Sequence, residues 1–415
     1  MPGGVGSTEP PSRAGAGSPG AGAQVGPGAA WRVIRSRSFG PYFVGNAASA
    51  SGTWFQNLAA SILIFRLTHS PFLLGVLNFC QFVPVLVLSP WAGSIADRFD
   101  RRKLLLGTQL AAAALSAALA AVAWGGHATE WVVIAFSAAL GVTSALSVPA
   151  QQSLIAALVP EEDVPQAVAL NSMTFNLARA IGPASAAGVI AAFGIPWAFA
   201  INACSYLLLV GGLLLVRPRE EERAGRTSLR DSLQLLRDDP NLALALVVVM
   251  IAGFGSDPVN TESPAFAHAF GFSDTWSGVI VAFFGAGAVS AALLVAGRVA
   301  GSRRRMAMTL AALGGGILCF SLSPWLPLGF VFLAVAGFGY LGSNTSATTR
   351  LALGVAPSQR GRIMALWSIA FLGLRPIASL ADGALAGTFG VRTAGAVLAL
   401  PALLGAAVAL RTVRR

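Results

Sequence analysis

The stretch from Gly93 to Lys103, G-S-I-A-D-R-F-D-R-R-K, decides how the rest of the sequence is interpreted. One apolar run precedes it and another follows it, so it is predicted to form a short polar hairpin between two membrane spans. Four of its eleven residues are basic and two are acidic. Basic residues packed this closely between spans are typical of the cytoplasmic side of a bilayer.

The composition is that of an integral membrane protein. Of the 415 residues 55% are hydrophobic and 11% are charged, whereas about a quarter of the residues of a soluble domain are charged. The formal net charge is +11, which in a soluble protein would suggest a nucleic-acid partner. Here the basic residues lie between apolar runs, so orientation in a lipid bilayer explains the charge, and no nucleic-acid partner is expected.

A membrane-spanning helix needs about 20 mainly apolar residues. Twelve such runs are present, at about 39–66, 72–96, 103–124, 130–152, 166–192, 197–216, 242–264, 275–298, 305–323, 325–349, 361–387 and 391–411. Glycine and proline interrupt many of them, which membrane helices tolerate because neighbouring helices satisfy the freed backbone groups. The predicted fold class is therefore an all-α integral membrane protein with twelve transmembrane helices.

The distribution of arginine predicts the orientation of these spans. Of the 28 Lys and Arg residues, 24 fall on one face of the predicted topology. Arg66 and Arg392 fall on the other face, and Arg179 and Arg375 lie inside spans. This bias predicts a multi-pass protein of the cell membrane with both termini in the cytoplasm.

The chain is predicted to consist of two similar halves. V-P-E-E-D-V-P-Q-A-V-A-L before span 5 aligns with A-P-S-Q-R-G-R-I-M-A-L before span 11. Two six-span repeats around a midplane site are the architecture of a secondary transporter. The predicted division is a disordered Gly/Pro-rich tail at 1–30, a six-helix bundle at 31–216, a cytoplasmic linker with an amphipathic helix at 217–240, and a second six-helix bundle at 241–415.

The hairpin sequence resembles the signature loop of the major facilitator superfamily, G-x-x-x-D-R-x-G-R-[RK], with Asp100 in place of the second glycine. N-S-M-T-F-N-L-A-R-A-I-G-P in span 5, R-G-R-I-M-A-L before span 11 and G-T-W-F-Q-N in span 1 resemble the enterobactin-exporter and macrolide-efflux branch. The likeness extends from about residue 32 onward. It implies two pseudo-symmetric six-helix bundles and a monomer that moves a small-molecule substrate by alternating access.

The resemblance also implies a role for the signature loop, whose candidate residues are Gly93, Asp97, Arg98, Arg101 and Arg102. Asp97 is expected to meet the N-terminus of span 11, around 360–363, where the helix dipole stabilises a carboxylate. That contact would latch the two halves together at the cytoplasmic side. The alternative is that these charges only anchor the topology, and we favour it for Arg102 and Lys103.

Charged residues inside the spans are the candidates for coupling. Arg179 and Arg375 each lie about 14 residues, or roughly 20 Å, into their spans, and either a functional role or a structural ion pair would account for them. Asp257 in span 7 is the predicted counter-ion of Arg375 and a candidate proton carrier, and Asp382 is the second candidate. Glu262, nearer the end of span 7, is expected to be solvated.

Polar and aromatic residues inside the spans predict a substrate cavity. The candidate lining residues are Trp54, Gln56, Asn57, Asn78, Gln81, Asn344 and Trp367. Gly182 and Pro183 in span 5 are predicted to kink the helix and to permit close packing.

Other kinds of chemistry find little support. A Walker A loop needs Gly-Lys, and the chain's one lysine, Lys103, follows Arg102. The three histidines, His69, His127 and His268, show no ligand spacing, so neither a metal nor another cofactor is expected. The sequence therefore favours a non-enzymatic, proton-coupled exporter of a small, largely apolar compound such as an antibiotic, a siderophore or another metabolite. An importer with the same fold and a membrane-embedded, lipid-acting enzyme are the alternatives.

Overall fold

The computed structural model describes residues 27–219, 234, 236–237, 239–295, 303–355 and 359–413. Within α3 the description leaves out the side chains at 89–90, 93–94 and 96–98. The α-helices are α1 (Pro27–Ile34), α2 (Gly40–Thr68), α3 (Pro71–Arg98), α4 (Arg101–Trp124), α5 (Glu130–Ala157), α6 (Val164–Phe193), α7 (Ile195–Leu215), α8 (Pro240–Gly255), α9 (Asp257–Thr261), α10 (Ser263–Ala269), α11 (Ser277–Val295), α12 (Arg303–Leu322), α13 (Leu326–Leu353), α14 (Arg360–Gly373), α15 (Arg375–Phe389) and α16 (Val391–Val413).

The predicted all-α membrane fold is confirmed, since the part of the chain that the structure describes contains helices and no strand. Within that part, 10 segments are long and apolar enough to cross a membrane. The more polar helices α2 and α6, of 29 and 30 residues, occupy the places of spans 1 and 5. Helices therefore stand at all twelve predicted positions.

Spans 7 and 11 are each divided into shorter helices. Span 7 runs through α8, α9 and α10, and span 11 through α14 and α15. Proline stands at the start of each piece that follows a break, as Pro258, Pro264 and Pro376. Because proline lacks an N–H and clashes with the preceding turn, a new helix begins there. Interrupted helices of this kind are typical of transporter binding sites.

The helices form two bundles. Helices α2 to α7 pack with one another, as do α8 to α16, and the two bundles meet where α3 crosses α15 and α6 crosses α11. At the first crossing Gly75 faces Gly383, and a Cβ on Gly75 would lie 2.4 Å from the carbonyl oxygen of Ser379. Only glycine permits so close a helix approach.

The tail and the linker are described only in part. Residues 1–26 lie outside the described residues, and α1 begins at Pro27, inside the predicted tail. An ion pair of 2.7 Å between Arg32 and Asp163 connects α1 to the turn before α6. Of the predicted linker helix, only Gln234, Leu236 and Arg237 are described as helical, so that prediction lies largely outside the described residues.

Candidate substrate-translocation site

A small cavity lies between the two bundles at mid-depth. Its volume of about 30 Å³ is enough for one or two water molecules, so the two bundles are nearly closed around it. The lining residues are Trp54, Asn57, Leu58, Ser61, Asn78, Phe82 and Pro183 from the first bundle and Asn260, Val281 and Arg375 from the second. The structure thus brings Trp54, Asn57 and Asn78 of the predicted cavity set together with Arg375.

Arg375 reaches across the cavity from the first residue of α15. Its guanidinium carbon lies 4.5 Å from the centre of the Phe82 ring in α3, a cation–π contact between the two bundles. No pattern in the sequence indicates Phe82 as the partner of this arginine.

Asp257 does not form the predicted direct ion pair with Arg375. Its carboxylate, 1% exposed, accepts hydrogen bonds from the hydroxyls of Thr261 at 2.9 Å and Ser379 at 3.1 Å. The described ion pairs closer than 4 Å are Arg32–Asp163 and Arg66–Asp274. The hydroxyl groups of Thr261 in α9 and Ser379 in α15 hold the carboxylate through hydrogen bonds in place of Arg375. Arg375 lies at longer range.

Arg179 in α6 is 8% exposed and contacts the opposite bundle. Its Nη1 donates a hydrogen bond of 2.5 Å to the hydroxyl of Tyr340 in α13, and its guanidinium lies 4.3 Å from the centre of that ring. The Trp54 ring is 5.7 Å away. Nη2 is buried and has no hydrogen-bond partner in the described structure. Sequence reasoning missed Tyr340, because six helices and 161 residues separate it from Arg179 along the chain.

Asn171 and Asn176, which precede Arg179 in α6, bind elsewhere. Asn171 accepts a hydrogen bond of 2.8 Å from Asn46 in α2. Asn176 donates one of 2.8 Å to the carbonyl of Ser172 in its own helix. Neither amide is therefore placed to satisfy the guanidinium.

Two further carboxyl groups are fully buried in the second bundle. Glu262 and Asp382 are both 0% exposed, and none of their four carboxyl oxygens has a hydrogen-bond partner in the described structure. The expectation that Glu262 is solvated is wrong. The break between α9 and α10 turns Glu262 inward with its neighbours Thr261 and Ser263, which are equally buried.

Gln56 does not line the cavity although the sequence predicts it there. It lies in the core of the first bundle, where its side-chain oxygen accepts hydrogen bonds from Ser116 at 2.6 Å and Asn202 at 2.7 Å. Its neighbour Asn57 points the other way, into the cavity. Successive residues of a helix face different directions, and hydropathy alone does not fix the rotation of the helix.

Three other candidate residues stand outside the lining. Gln81 donates a hydrogen bond of 2.8 Å to Asn57 and so supports the lining from behind. Asn344 accepts a hydrogen bond of 3.3 Å from Thr348 in its own helix. The Trp367 ring stacks on Phe371 with centroids 5.1 Å apart.

Gly182 and Pro183 lie where α6 crosses α2 inside the first bundle. A Cβ on Gly182 would lie 2.7 Å from the Cβ of Trp54, so a larger residue would displace that ring. Pro183 stands inside the continuous helix α6 and contributes to the cavity lining.

The signature loop is described in part. Asp100 caps α4 by accepting hydrogen bonds from the backbone N–H groups of Arg102 and Lys103, at 2.9 and 3.1 Å. Arg102 donates to the carbonyls of Leu213 and Leu214 at the end of α7. Arg101 is the first residue of α4. The surroundings of Gly93 and the side chains of Asp97 and Arg98 are not described, so the latch between Asp97 and span 11 stays a prediction.

A second set of contacts joins the bundles at the end of the molecule with few arginines, which holds the α2–α3 and α10–α11 connections and is called here the arginine-poor end. Arg66 donates two hydrogen bonds to Asp274, at 2.5 and 3.0 Å. The His268 ring packs against Phe65 and His69, with centroids 5.8 and 6.3 Å apart. Among the described residues, no group of three His, Cys, Asp or Glu side chains could hold a metal ion.

A family model described as transmembrane secretion effector matches residues 28–415. The chain belongs to this family, within the major facilitator superfamily. The relatives named below are described as a transporter, an exporter and an efflux protein, and this chain is a multi-pass membrane protein. The resemblance of the sequence to the enterobactin-exporter and macrolide-efflux branch is thereby confirmed.

Individual relatives match to different extents. The chain is 33% identical to the staphyloferrin A transporter of Staphylococcus aureus over 160 residues, which are 38% of this chain and 40% of that protein. It is 27% identical to the enterobactin exporter of Shigella boydii over 359 residues, 80% of this chain and 81% of the relative. Macrolide efflux protein A of Streptococcus pyogenes is 23% identical over 229 residues, 54% of this chain and 56% of the relative.

Solved structures share the fold. A bacterial homolog of the human lysosomal transporter Spinster, in an inward-facing and occupied conformation, superposes with a TM-score of 0.71 at 13% identity, covering 90% of this chain and 96% of that one. A D-xylose–proton symporter superposes with a TM-score of 0.66 at 14% identity, covering 89% and 97%. At these identities the likeness concerns the fold alone.

Proposed function

We propose that this protein is a monomeric, proton-coupled exporter that moves a small molecule across the cell membrane by alternating access. The observation that supports this most directly is the mid-depth cavity. Side chains of both bundles line it. Arg375 of the second bundle is among them, and the buried Arg179 of the first bundle lies beside Trp54, which also lines the cavity. A site shared in this way changes its access when the bundles tilt against each other.

The orientation follows from the arginine distribution. The end that carries 24 of the 28 basic residues faces the cytoplasm, together with both termini and the connection between the bundles. The arginine-poor end then faces outward. Its contacts, Arg66–Asp274 and the packing of His268, hold the bundles together on the outside.

Glu262 and Asp382 are the proposed proton carriers, with Asp257 as the group that links them to Arg375. An ionised carboxylate without a partner is very costly to bury, so Glu262 and Asp382 are neutral in the closed arrangement. Opening the outer side hydrates them and lets a proton exchange. Asp257 is less suited to release a proton by itself because two hydroxyls already bind its carboxylate.

The proposed cargo is an antibiotic-like or siderophore-like compound, because relatives of this family are described as exporting such compounds. Relatives are described as a macrolide efflux protein and as an enterobactin exporter. A proton-driven transporter has no need of enzymatic chemistry, and we propose none.

Inside-out vesicles from cells with and without the protein test the proposal, with erythromycin as the macrolide probe and enterobactin as the siderophore probe. Acidifying the vesicle interior is expected to drive uptake, and a protonophore is expected to abolish it. Glu262→Gln and Asp382→Asn are expected to lose the pH-driven uptake but to retain exchange of labelled for unlabelled probe. Glu161→Gln removes an exposed acid and serves as the matched control. Unchanged pH-driven uptake in the variant that combines Glu262→Gln with Asp382→Asn would overturn the assignment of the proton carriers.

A further inference from the structure

We infer that the transported molecule carries an acidic group, and that Arg179 and Arg375 bind this group from opposite sides of the cavity. The inference rests on the proposed transport function and adds the chemical class of the substrate. It starts from an imbalance of charge. Arg375 lines the cavity, and Arg179 lies beside Trp54 in the cavity wall, yet the described structure gives neither arginine an ion pair.

Both guanidinium groups are held by aromatic rings and not by carboxylates. Arg375 lies over Phe82, and Arg179 lies over Tyr340 with Trp54 beside it. Aromatic faces hold a guanidinium in place but do not accept its in-plane N–H groups. An arginine has five such donors, and Nη2 of Arg179 is buried without a hydrogen-bond partner. The arrangement fixes two cations and leaves donor capacity for a ligand.

The nearby acids do not offset both positive charges. Asp257 is hydrogen-bonded to Thr261 and Ser379 and forms no ion pair with either arginine in the described structure. Glu262 and Asp382 are fully buried without hydrogen-bond partners in the described structure, and neither forms an ion pair with an arginine there. The region therefore has a cationic side next to the cavity and an acidic side behind it. A charge at mid-depth is costly unless it is paired, and a substrate anion supplies the missing pair.

The other residues that line the cavity indicate what the rest of the substrate looks like. Trp54, Phe82, Pro183 and Val281 offer apolar surface, while Asn57 and Asn260 offer amide groups. The side-chain oxygen of Asn260 is buried without a partner and is free to accept a hydrogen bond from a ligand. The best fit is a small organic acid with one carboxylate or similar group for the arginines, an apolar or aromatic body, and a hydrogen-bond donor.

Two arginines also explain why the acidic group should be planar and bidentate. A guanidinium and a carboxylate pair through two parallel N–H···O bonds, and arginine is preferred over lysine for this geometry. The cavity of about 30 Å³ is too small for such a molecule, so the bundles must separate before it binds. Binding is thus expected to favour a more open arrangement.

Binding of salicylate to the purified full chain in nanodiscs tests the inference, with salicylamide as an uncharged molecule of nearly the same shape. Isothermal titration is expected to detect salicylate and to find salicylamide at least about tenfold weaker, because hydrogen bonds to a charged group are the stronger ones. Arg179→Gln and Arg375→Gln are each expected to weaken salicylate about tenfold or more and to leave salicylamide unchanged. Arg304→Gln removes an exposed arginine outside the site and should change neither.

A variant that keeps the positive charge at position 375 shows whether a loss of binding comes from misfolding. Arg375→Lys retains a cation but loses the planar fork, so its salicylate affinity should fall between those of the wild type and Arg375→Gln. Equal affinities for salicylate and salicylamide would overturn the inference, as would wild-type salicylate affinity in both glutamine variants or the absence of salicylate binding.

These binding measurements need no proton gradient. Vesicles that transport erythromycin without salicylate binding would refute only this inference, and salicylate binding without gradient-driven transport would refute only the proposed function.

Discussion

Arg66 and Asp274 form a two-pronged ion pair that joins the last turn of α2 to the short 3₁₀ turn before α11. The pair thus connects the first bundle to the second at the arginine-poor end. The Arg66 side chain is 44% exposed and that of Asp274 is 15% exposed. Exposed ion pairs contribute only about 0.2–1 kcal/mol, so this one biases a conformational balance and does not lock it.

Breaking this ion pair should open the arginine-poor end more often. Asp274→Asn is expected to raise the ratio of open to closed molecules by a factor of about 1.4–5, which corresponds to the loss of about 0.2–1 kcal/mol. Spin labels at Leu67 and Ser273 would report the distance across this end, after Cys80, Cys204 and Cys319 have been replaced. The charge swap Arg66→Asp with Asp274→Arg should restore the closed population. An unchanged distance distribution in Asp274→Asn would show that the pair plays no part in closure.

The crossing of α3 and α15 should be intolerant of any side chain. Gly383→Val places a branched side chain where the backbone of Gly75 lies, 2.8 Å from the Cβ position. We expect the closed form to be lost and the melting temperature to fall, because overpacking costs about 1–3 kcal/mol. Gly188→Ala is the matched control, since a Cβ there meets no atom within 4 Å. A fall in melting temperature of the same size in both variants would contradict a specific role for the crossing.

The neighbours Gln56 and Asn57 should behave in opposite ways. Gln56→Leu leaves Ser116 and Asn202 without their buried acceptor, so we expect about 1–3 kcal/mol of destabilisation with an unchanged KM for transport. Asn57→Ala removes a cavity-lining group and should alter KM with little loss of stability. Thermal unfolding and vesicle transport measured on both variants check this. A KM effect in Gln56→Leu without destabilisation would place Gln56 at the substrate after all.

Substitutions at two residues of the signature loop should have different effects, one on transport and the other on stability. Asp97→Asn is expected to abolish transport while membrane insertion stays normal, because the amide cannot form the charged contact with the N-terminus of span 11. Arg102→Ala removes two hydrogen bonds to the end of α7 and should lower stability while transport per folded molecule is retained. Expression, melting temperature and vesicle transport distinguish the two. Normal efflux by Asp97→Asn would rule out the latch.

The residue types of the site could largely be predicted from the sequence, but the contacts between them could not. The sequence predicted that Arg179, Arg375, Asp257 and Asp382 are intramembrane charges, because each stands deep inside an apolar run. Glycine and proline also interrupt many of the predicted spans, and in span 7 the structure begins a new helix at Asp257-Pro258. These properties are local, since chain composition and proline chemistry within a few residues decide them.

The sequence by itself determined the all-helical membrane fold, the twelve helix positions, the two halves and the family, because hydropathy, the placement of arginine and short motifs are all written along the chain. Only the tertiary structure decided which side chains meet: Arg179 with Tyr340, Arg375 with Phe82, Arg66 with Asp274, and Glu262 with the buried side of its bundle. The physical reason is that each of these contacts depends on how far a helix is rotated about its axis and on which helix lies beside it. Those quantities are set by packing across the whole molecule, and no local stretch of sequence fixes them.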